Sequence, residues 1–501
     1  MKDATTRMIP VFLLICVMLF AAQCSADDSN EIPNGNDTED PDTPKPADQR
    51  ITINASIRTH PVAKNPGGVV SCWLMDSDMK RPRATSFANA MKDMGVKYIR
   101  FPYGHLSDNY LWDADGDWGN TLTPKVATFN RAPGGWNWAV DQTTGEFIDA
   151  MDFDEFIAIC NDVGAEPMVV VNILSHKYPN GPTYEQLKES AVEWVRYANI
   201  TKGYNVKYWA LGNEVDHHSN LISREEYQSL YSDFANAMKE VDPNIWIGPG
   251  LLSNWHAALL NHDPDNIYFM CVHNYLWRYE WRLQGYEAWK HATDIIMHHV
   301  ENVQNIVSNS SLPDLEIHVT EMNAFPWGDD VPDKNDLIRS LTLGEMILNA
   351  ISFKNVKATY TWNTHSPWGG PDVNASFNVL DLDNNREPLG EMIKLVNDNL
   401  LDYFIDVPRL NGFIRSYATI DEQNENISMM LFNKNDKAEL VNIRPLISKV
   451  PSGYSIISYT GTGPYDESPS LTEPTTVEVI GGVMNVELPP LSFNVITWKM
   501  R

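Results

Sequence analysis

The sequence predicts an α/β fold, a (β/α)8 TIM barrel followed by a C-terminal all-β sandwich. Three observations predict it. Eight short apolar runs alternate with longer amphipathic stretches between residues 65 and 401. The runs are continuously apolar rather than alternating in polarity, as parallel strands covered on both faces require. From residue 402 to 501 the texture changes to short strands broken by Asn, Gly, Asp and Pro, the pattern of a small antiparallel sandwich. With 501 residues, 43% of them hydrophobic, the chain can build one large core and a smaller companion.

Taken in order, Lys2 and Arg7 precede the apolar run "MIPVFLLICVMLFAA". That run is short for a membrane span and reads as the centre of an export signal over residues 1–24. Cleavage before Cys24 would leave "CSADDS", which resembles the lipid-modified cysteine and acidic neighbours of bacterial surface lipoproteins. Gln23 departs from the small residue usual before such a cysteine, and ordinary cleavage with secretion is the alternative. The protein is therefore expected outside the cytoplasm, at the outer membrane or cell surface, in the periplasm or secreted. Residues 25–50 are rich in Asp, Pro and Asn and read as a disordered tether. Residues 51–64 begin with "ITINASI", a strand expected to join the sandwich, since the two ends of a domain often lie close together.

The barrel strands are predicted at "VVSCWLM", "VKYIRF", "EPMVVVNI", "VKYWALGN", "IWIGPG", "IYFMCVHNY", "LEIHVTE" and "KATYTWN". Between them "DFDEFIAICNDV", "TYEQLKESAVEWVRYAN" and "NDLIRSLTLGEMILNAISF" have helical periodicity; in the second, Leu187, Ala191, Trp194, Val195 and Ala198 share a face. Eight such pairs are what the barrel needs. An open doubly wound sheet is the competing arrangement, but no glycine-rich dinucleotide turn supports it. After the helical "LGEMIKLVNDNL", the sandwich strands are expected at "NGFIRSYATI", "ENISMMLFNKND", "AELVNI", "GYSIISYTGT" and "SFNVITWKM".

A formal net charge of -28 argues against nucleic acid and anionic membrane surfaces as partners, leaving the Cys24 lipid as the expected membrane contact. The 16 Trp and 20 Tyr supply faces that stack on sugar rings, although most should be core. Cys72, Cys160 and Cys271 sit in apolar segments with no metal or disulfide spacing and read as buried thiols.

In a barrel of this kind the reacting groups stand at the C-terminal ends of the strands. Glu214 ends the fourth predicted strand and Glu321 the seventh, so the fold would bring them face to face across one mouth. Two carboxylates about 5 Å apart are the apparatus of retaining glycoside hydrolysis, one protonating the leaving oxygen and the other attacking the anomeric carbon. One acid must then stay protonated near neutral pH while the other stays ionised. Arg100, closing the second strand, is a cationic neighbour that would favour ionised Glu321. Asn213, beside Glu214, would donate to a sugar hydroxyl. A carbohydrate substrate and no cofactor are expected.

"KYWALGNE" resembles the acid/base strand of clan A glycoside hydrolases, and "IHVTEMN" their nucleophile strand. "RFPYGHLSDNYLWD", "AEPMVVVN", "EWVRYAN", "VDPNIWIGPG" and "LPPLSFNVITW" are similar in order and spacing to the α-L-arabinofuranosidase branch, family 51, over most of residues 65–501. The resemblance implies that Glu214 is the general acid/base, Glu321 the nucleophile, and Tyr275 the tyrosine beside that nucleophile. It also draws Asn172, at the end of the third strand, into the sugar-binding shell. Four departures stand out. Tyr103 and His105 replace the first Gly and the Asn of the family's Gly-Gly-Asn turn, Thr320 replaces the acid before the nucleophile, and "INASIRTH" lacks the family's early glutamate. These touch sugar identity more than mechanism, and an endo-acting clan A glycanase of agarase or xylanase type is the alternative.

Trp362, ending the eighth strand, is expected to floor the sugar site, and among Trp112, Trp118, Trp136 and Trp138 one or two, Trp112 first, are expected to stack on substrate. His217, His218, His273 and His365 have no HExxH-type spacing, so no metal is expected; they would donate to hydroxyls or hold Glu214, His273 otherwise being a core residue. Asp113, Asp115 and Asp117 suggest a calcium loop only loosely, because the distal glutamate is missing. Two other classes compete with an enzyme: a surface glycan-binding protein on a decayed hydrolase scaffold, which has no use for both glutamates, and an adhesion protein, which would have no sugar affinity.

Overall fold

The computed structural model describes residues 49–113, 122–127, 137–276, 286–291, 297–324, 334–408, 410, 412–446 and 451–500. The export signal, Cys24, nearly all of the tether, Trp118, Trp136, Asp115 and Asp117 lie outside them. Among the described residues no helix is long and apolar enough to cross a membrane.

Eight parallel strands form the barrel: Gly67–Val70, Tyr98–Phe101, Glu166–Val171, Tyr208–Leu211, Trp246–Pro249, Phe269–Leu276, Glu316–Ala324 and Val356–Thr361. The hydrogen-bonded order runs sixth, seventh, eighth, first, second, third, fourth, fifth. The ring is drawn together between the fifth and sixth strands by two backbone bonds, Tyr268 N to Ile247 O and His273 N to Leu252 O, each 2.9 Å. Helices such as Phe87–Asp93, Phe153–Val163, Tyr184–Val195 and Arg224–Val241 return the chain to the next strand.

The first strand differs from its prediction. It begins at Gly67 and stops at Val70, and "SCWLM" is a buried turn whose Ser71 N donates to Arg100 O at 3.0 Å. The signal was misleading because those side chains are as buried as any strand's, Trp73 and Leu74 being fully covered. Glycine is what permits the earlier start: a Cβ on Gly68 would sit 2.5 Å from Tyr98 O.

Local chemistry explains the helix starts. Asp152, Thr183 and Ser223 each accept from a backbone N–H of the first turn, and Thr183 forms a reciprocal box with Gln186. The helix Tyr184–Val195 buries the expected face and then widens into a π-helical turn, Arg196–Thr201. The seventh helix, Leu337–Ile351, departs from the amphipathic expectation, with every residue but Asn349 buried. Its outer face is covered: a Cβ on Gly344 would touch Met392 of the eighth helix, Pro388–Asn399, and lie 3.1 Å from Phe432 of the sandwich.

The sandwich is built on the antiparallel ladder Tyr403–Ile405, Ile414–Ile420, Asn426–Asn433, Ser492–Lys499 and Gly453–Thr460, with a second sheet of Glu439–Pro445 and Met484–Leu488. Gln49–Ile53 adds a parallel strand to Glu439–Pro445, and Arg58–Pro61 pairs with Tyr403–Ile405. Barrel and sandwich form one compact unit. Cys72, Cys160 and Cys271 are buried free thiols.

Candidate active site

The site lies where the second, fourth, sixth, seventh and eighth strands end. Strand four delivers Glu214 through a sharp turn: Gly212 has φ 84°, and Glu214 itself sits in the left-handed region at φ 48° and ψ 40°. A non-glycine residue there costs on the order of 1–3 kcal/mol, which the surroundings must offset. They do so through Val215 N, donating to Gly250 O at 3.1 Å, and through Asp216. The Asp216 carboxylate accepts from the backbone N–H groups of Leu252 (2.8 Å), Ser253 (3.0 Å) and Asn254 (2.6 Å), pinning the Glu214 turn to the loop after the fifth strand. Asp216 was not among the predicted site residues; its position two residues after Glu214 was its only sequence signal.

The two glutamates converge. Side-chain oxygens of Glu214 and Glu321 and a ring nitrogen of His273 lie within 4.8 Å of one another. His273 stands between the acids, its Nδ1 2.7 Å from Glu214 Oε1 and 3.5 Å from Glu321 Oε2. In either tautomer a proton lies between His273 and Glu214, while His273 Nε2 is buried with no hydrogen-bond partner among the described residues. Glu321 is gripped on both oxygens: Arg100 Nη1 donates to Oε1 and the Tyr275 hydroxyl to Oε2, each at 2.6 Å. Arg100 also donates to Asn213 Oδ1 at 2.5 Å, turning the amide so that its Nδ2, buried and with no partner among the described residues, is a donor in reserve.

The electrostatics divide the two acids. Burial and the neighbouring carboxylates Glu321 and Glu214 push the Tyr275 phenol well above its ordinary range, so it stays a hydrogen-bond donor. Burial also pushes Glu214 upward, but contact with His217, 3.6 Å away, and the bond to His273 outweigh it, holding the carboxyl below its usual range. This corrects the expectation of an acid raised by its surroundings. Glu214 also keeps more exposure than its partner, its side chain 15% accessible against 5% for Glu321.

Trp362 is half-buried at the end of the eighth strand, its ring centroid 4.3 Å from that of Tyr103, and the Trp362–Asn363 peptide is cis. Gly104 lies flush against both Trp362 and Glu321, leaving no room for a Cβ. Tyr103, the large residue at the turn, is wholly buried and receives a hydrogen bond from Asn363. His105 is exposed beside the mouth and packs against His218, ring centroids 4.8 Å apart.

Two predicted sugar contacts are corrected. Trp112 is 1% exposed, stacked on Trp194 at 5.7 Å with its Nε1 donating to Ser190 O, so it packs the insertion and has no face for substrate. Asn172 is buried with its amide turned to the backbone, Nδ2 donating to Tyr110 O and Oδ1 accepting from Leu174 and Ser175 N. His365 is equally remote, held between Asp76 and Asp381 O in the core. Trp138 donates to Pro367 O and lies under Arg81.

Comparison with known proteins gives the same picture at two levels. The family model described as an alpha-L-arabinofuranosidase 1 domain matches residues 90–293. An intracellular exo-alpha-(1->5)-L-arabinofuranosidase of Acetivibrio thermocellus is 25% identical over 207 residues, 37% of each chain. Alpha-L-arabinofuranosidase C of Emericella nidulans is 30% identical over 173 residues, covering 31% of this chain and 30% of that one. The matched stretch thus spans about a third of these relatives. The family-model match contains Glu214, His273 and Tyr275 but ends before Glu321, whose place is given by geometry. Among solved structures, the arabinose complex of alpha-L-arabinofuranosidase from Thermotoga maritima superposes with a TM-score of 0.70 at 17% identity, covering 90% of this chain and 99% of that one. CelM2, a bifunctional glucanase-xylanase from a metagenome library, gives 0.63 at 13% identity, covering 90% and 99%. These likenesses establish the shared barrel and sandwich.

Proposed function

We propose that this protein is a retaining glycoside hydrolase of α-L-arabinofuranosidase-like type, acting by double displacement. The carrying observation is the pair Glu214 and Glu321, with oxygens within 4.8 Å at the ends of strands four and seven, the short separation that retention uses. Glu321, gripped between Arg100 and Tyr275, attacks the anomeric carbon. The bond from that carbon to the leaving oxygen breaks as the protonated Glu214 carboxyl gives its proton to that oxygen, leaving Glu214 as the carboxylate. Glu214 then takes a proton from water, whose oxygen displaces Glu321 and restores the anomeric configuration. Asn213 Nδ2 is the donor for a hydroxyl beside the reacting carbon, a contact that strengthens as charge develops.

The experiment is hydrolysis of aryl α-L-arabinofuranoside and of arabinan, xylan and agar, with product anomers followed by NMR. Glu214→Gln should lower turnover about 10²–10⁴-fold on unactivated substrates, and Glu321→Ala should abolish it while leaving the fold intact. Unchanged turnover in Glu321→Ala, or an inverted product, defeats the reading. The panel extends beyond arabinose because Tyr103, His105 and Thr320 alter the shell around the sugar.

The same reading includes export, with a lipid on Cys24 as the membrane anchor, supported by the charged and apolar order of residues 1–24. Radiolabelled palmitate should enter the wild-type chain in a bacterial host and not Cys24→Ala; equal labelling of both would reject the anchor.

A further inference from the structure

Outside the hydrolytic pair, one cluster of metal-ligating side chains among the described residues is not absorbed by the chemistry above. His105 and Asp108 belong to the single 3-10 turn His105–Asn109 that follows the second barrel strand, and His218 ends the 3-10 turn Val215–His218 that follows Glu214. In a 3-10 turn residues three apart eclipse one another, so His105 and Asp108 are presented on the same side. Ligand atoms of His105, Asp108 and His218 all lie within 4.8 Å of one another, with His218 Nε2 3.8 Å from Asp108 Oδ2. The two imidazole rings face each other, 34° from parallel.

We propose that His105, Asp108 and His218 form a binding site for one divalent transition-metal ion of the zinc class, tying the loop after the second strand to the loop that carries Glu214. Three features support it. The donor set, two imidazoles and one carboxylate, suits zinc and its neighbours rather than magnesium or calcium, which prefer all-oxygen shells. The 3.8 Å spacing exceeds a hydrogen bond and is close to the separation of two ligands about 2.0–2.2 Å from a shared tetrahedral ion, so a small inward movement of the rings completes the geometry. The burial is graded: Asp108 is 1% exposed, His218 side chain 13%, and His105 exposed, giving a buried carboxylate floor and an exposed imidazole at the entrance. The chain's net charge of -28 raises the local concentration of cations at such a mouth.

The site borders the reacting carboxylates without sharing a residue with them: none of its three residues is Glu214, His273 or Glu321, and the charge of His105 reaches Glu214. Its consequence is mechanical. His218 is four residues from Glu214, in the same turn, whose left-handed Glu214 backbone is otherwise held by Asp216 and Val215. An ion on His218 adds a further anchor, to the loop after the second strand. This inference does not depend on the hydrolytic reading, since its readout is metal binding in the absence of sugar.

The test uses the full mature chain stripped by chelator, then titrated with Zn2+ in a calorimeter and with Co2+ in a spectrometer. One equivalent should bind, and the cobalt form should show the visible bands of an imidazole-containing low-coordinate site. His105→Ala and His218→Ala should each weaken binding by at least about 10–100-fold, and Zn2+ should raise the melting temperature of the wild type but not of either variant. His105 is exposed, so His105→Ala keeps the test valid if His218→Ala fails to fold. Glu321→Gln, at the other candidate cluster, should bind Zn2+ as the wild type does. Absence of binding overturns the proposal. So does binding unchanged in His105→Ala, or lost in Glu321→Gln, which would place the ion on the reacting carboxylates.

Discussion

At the scale of single residues, the site depends on atoms that are missing as much as on those present. Gly104 lies against both Glu321 and Trp362, and a methyl group there would have to displace one of them. Gly104→Ala is therefore expected to cut kcat at least about a hundredfold, the penalty for misplacing a reacting group by about 1 Å, with little loss of thermal stability. Steady-state kinetics beside a melting curve checks it. Gly104 was hidden in the sequence between Tyr103 and His105, the two residues that drew notice as departures from the family turn. A glycine's necessity comes from what approaches it, and the approaching atoms belong to strands seven and eight.

At the scale of elements, the aromatic insertion after the second strand shows how burial redirects a reading. Trp112 reads as a sugar platform because it follows a strand end in a turn-rich stretch, yet Trp194 and Tyr197 of the third helix and its π-helical continuation cover it. Trp112→Ala should destabilise the fold by about 3–5 kcal/mol and leave KM for the surviving folded enzyme unchanged; denaturant unfolding and kinetics on the same preparation separate the two effects. A shift in KM without a loss of stability would return Trp112 to the substrate. The strands themselves were legible because their apolar runs are long and uninterrupted. Only the first was displaced, where a buried turn carries the same residue types as a strand.

For the whole molecule, the joint between barrel and sandwich carries an ion pair with almost no water around it. Lys434 Nζ lies 3.0 Å from Glu345 Oε2, both side chains essentially inaccessible, and Trp289 Nε1 also donates to that oxygen at 2.8 Å. Burial pushes Lys434 down to about 8 despite the pull of Glu345. Between pH 8 and its ordinary value of 10.5 the unfolded chain therefore binds more protons at this residue than the folded one. Its contribution to stability rises with pH across that window. Lys434→Met should cost about 3 kcal/mol at pH 7, because Glu345 is left buried with Trp289 and Arg415 as its remaining polar partners among the described residues. The gap between wild type and variant should widen from pH 8 to 10 in urea melts; a gap that narrows would show that the lysine titrates elsewhere.

The sequence by itself determined the order of elements, the two glutamates at strand ends and Arg100 as a candidate for their company, because periodicity and strand-end position are properties of the chain alone; Tyr275 was pointed to by the family resemblance. It also contained the strand Gln49–Ile53 and its affinity for the far end. Tertiary structure alone decided that His273 stands between the acids, that Glu214 is held below its usual range, that Asp216 braces its turn, and that Trp112 and Asn172 face inward. The reason is physical: a titration or a contact depends on what surrounds a side chain. In a barrel those surroundings come from strands far apart along the chain, joined only when the ring closes.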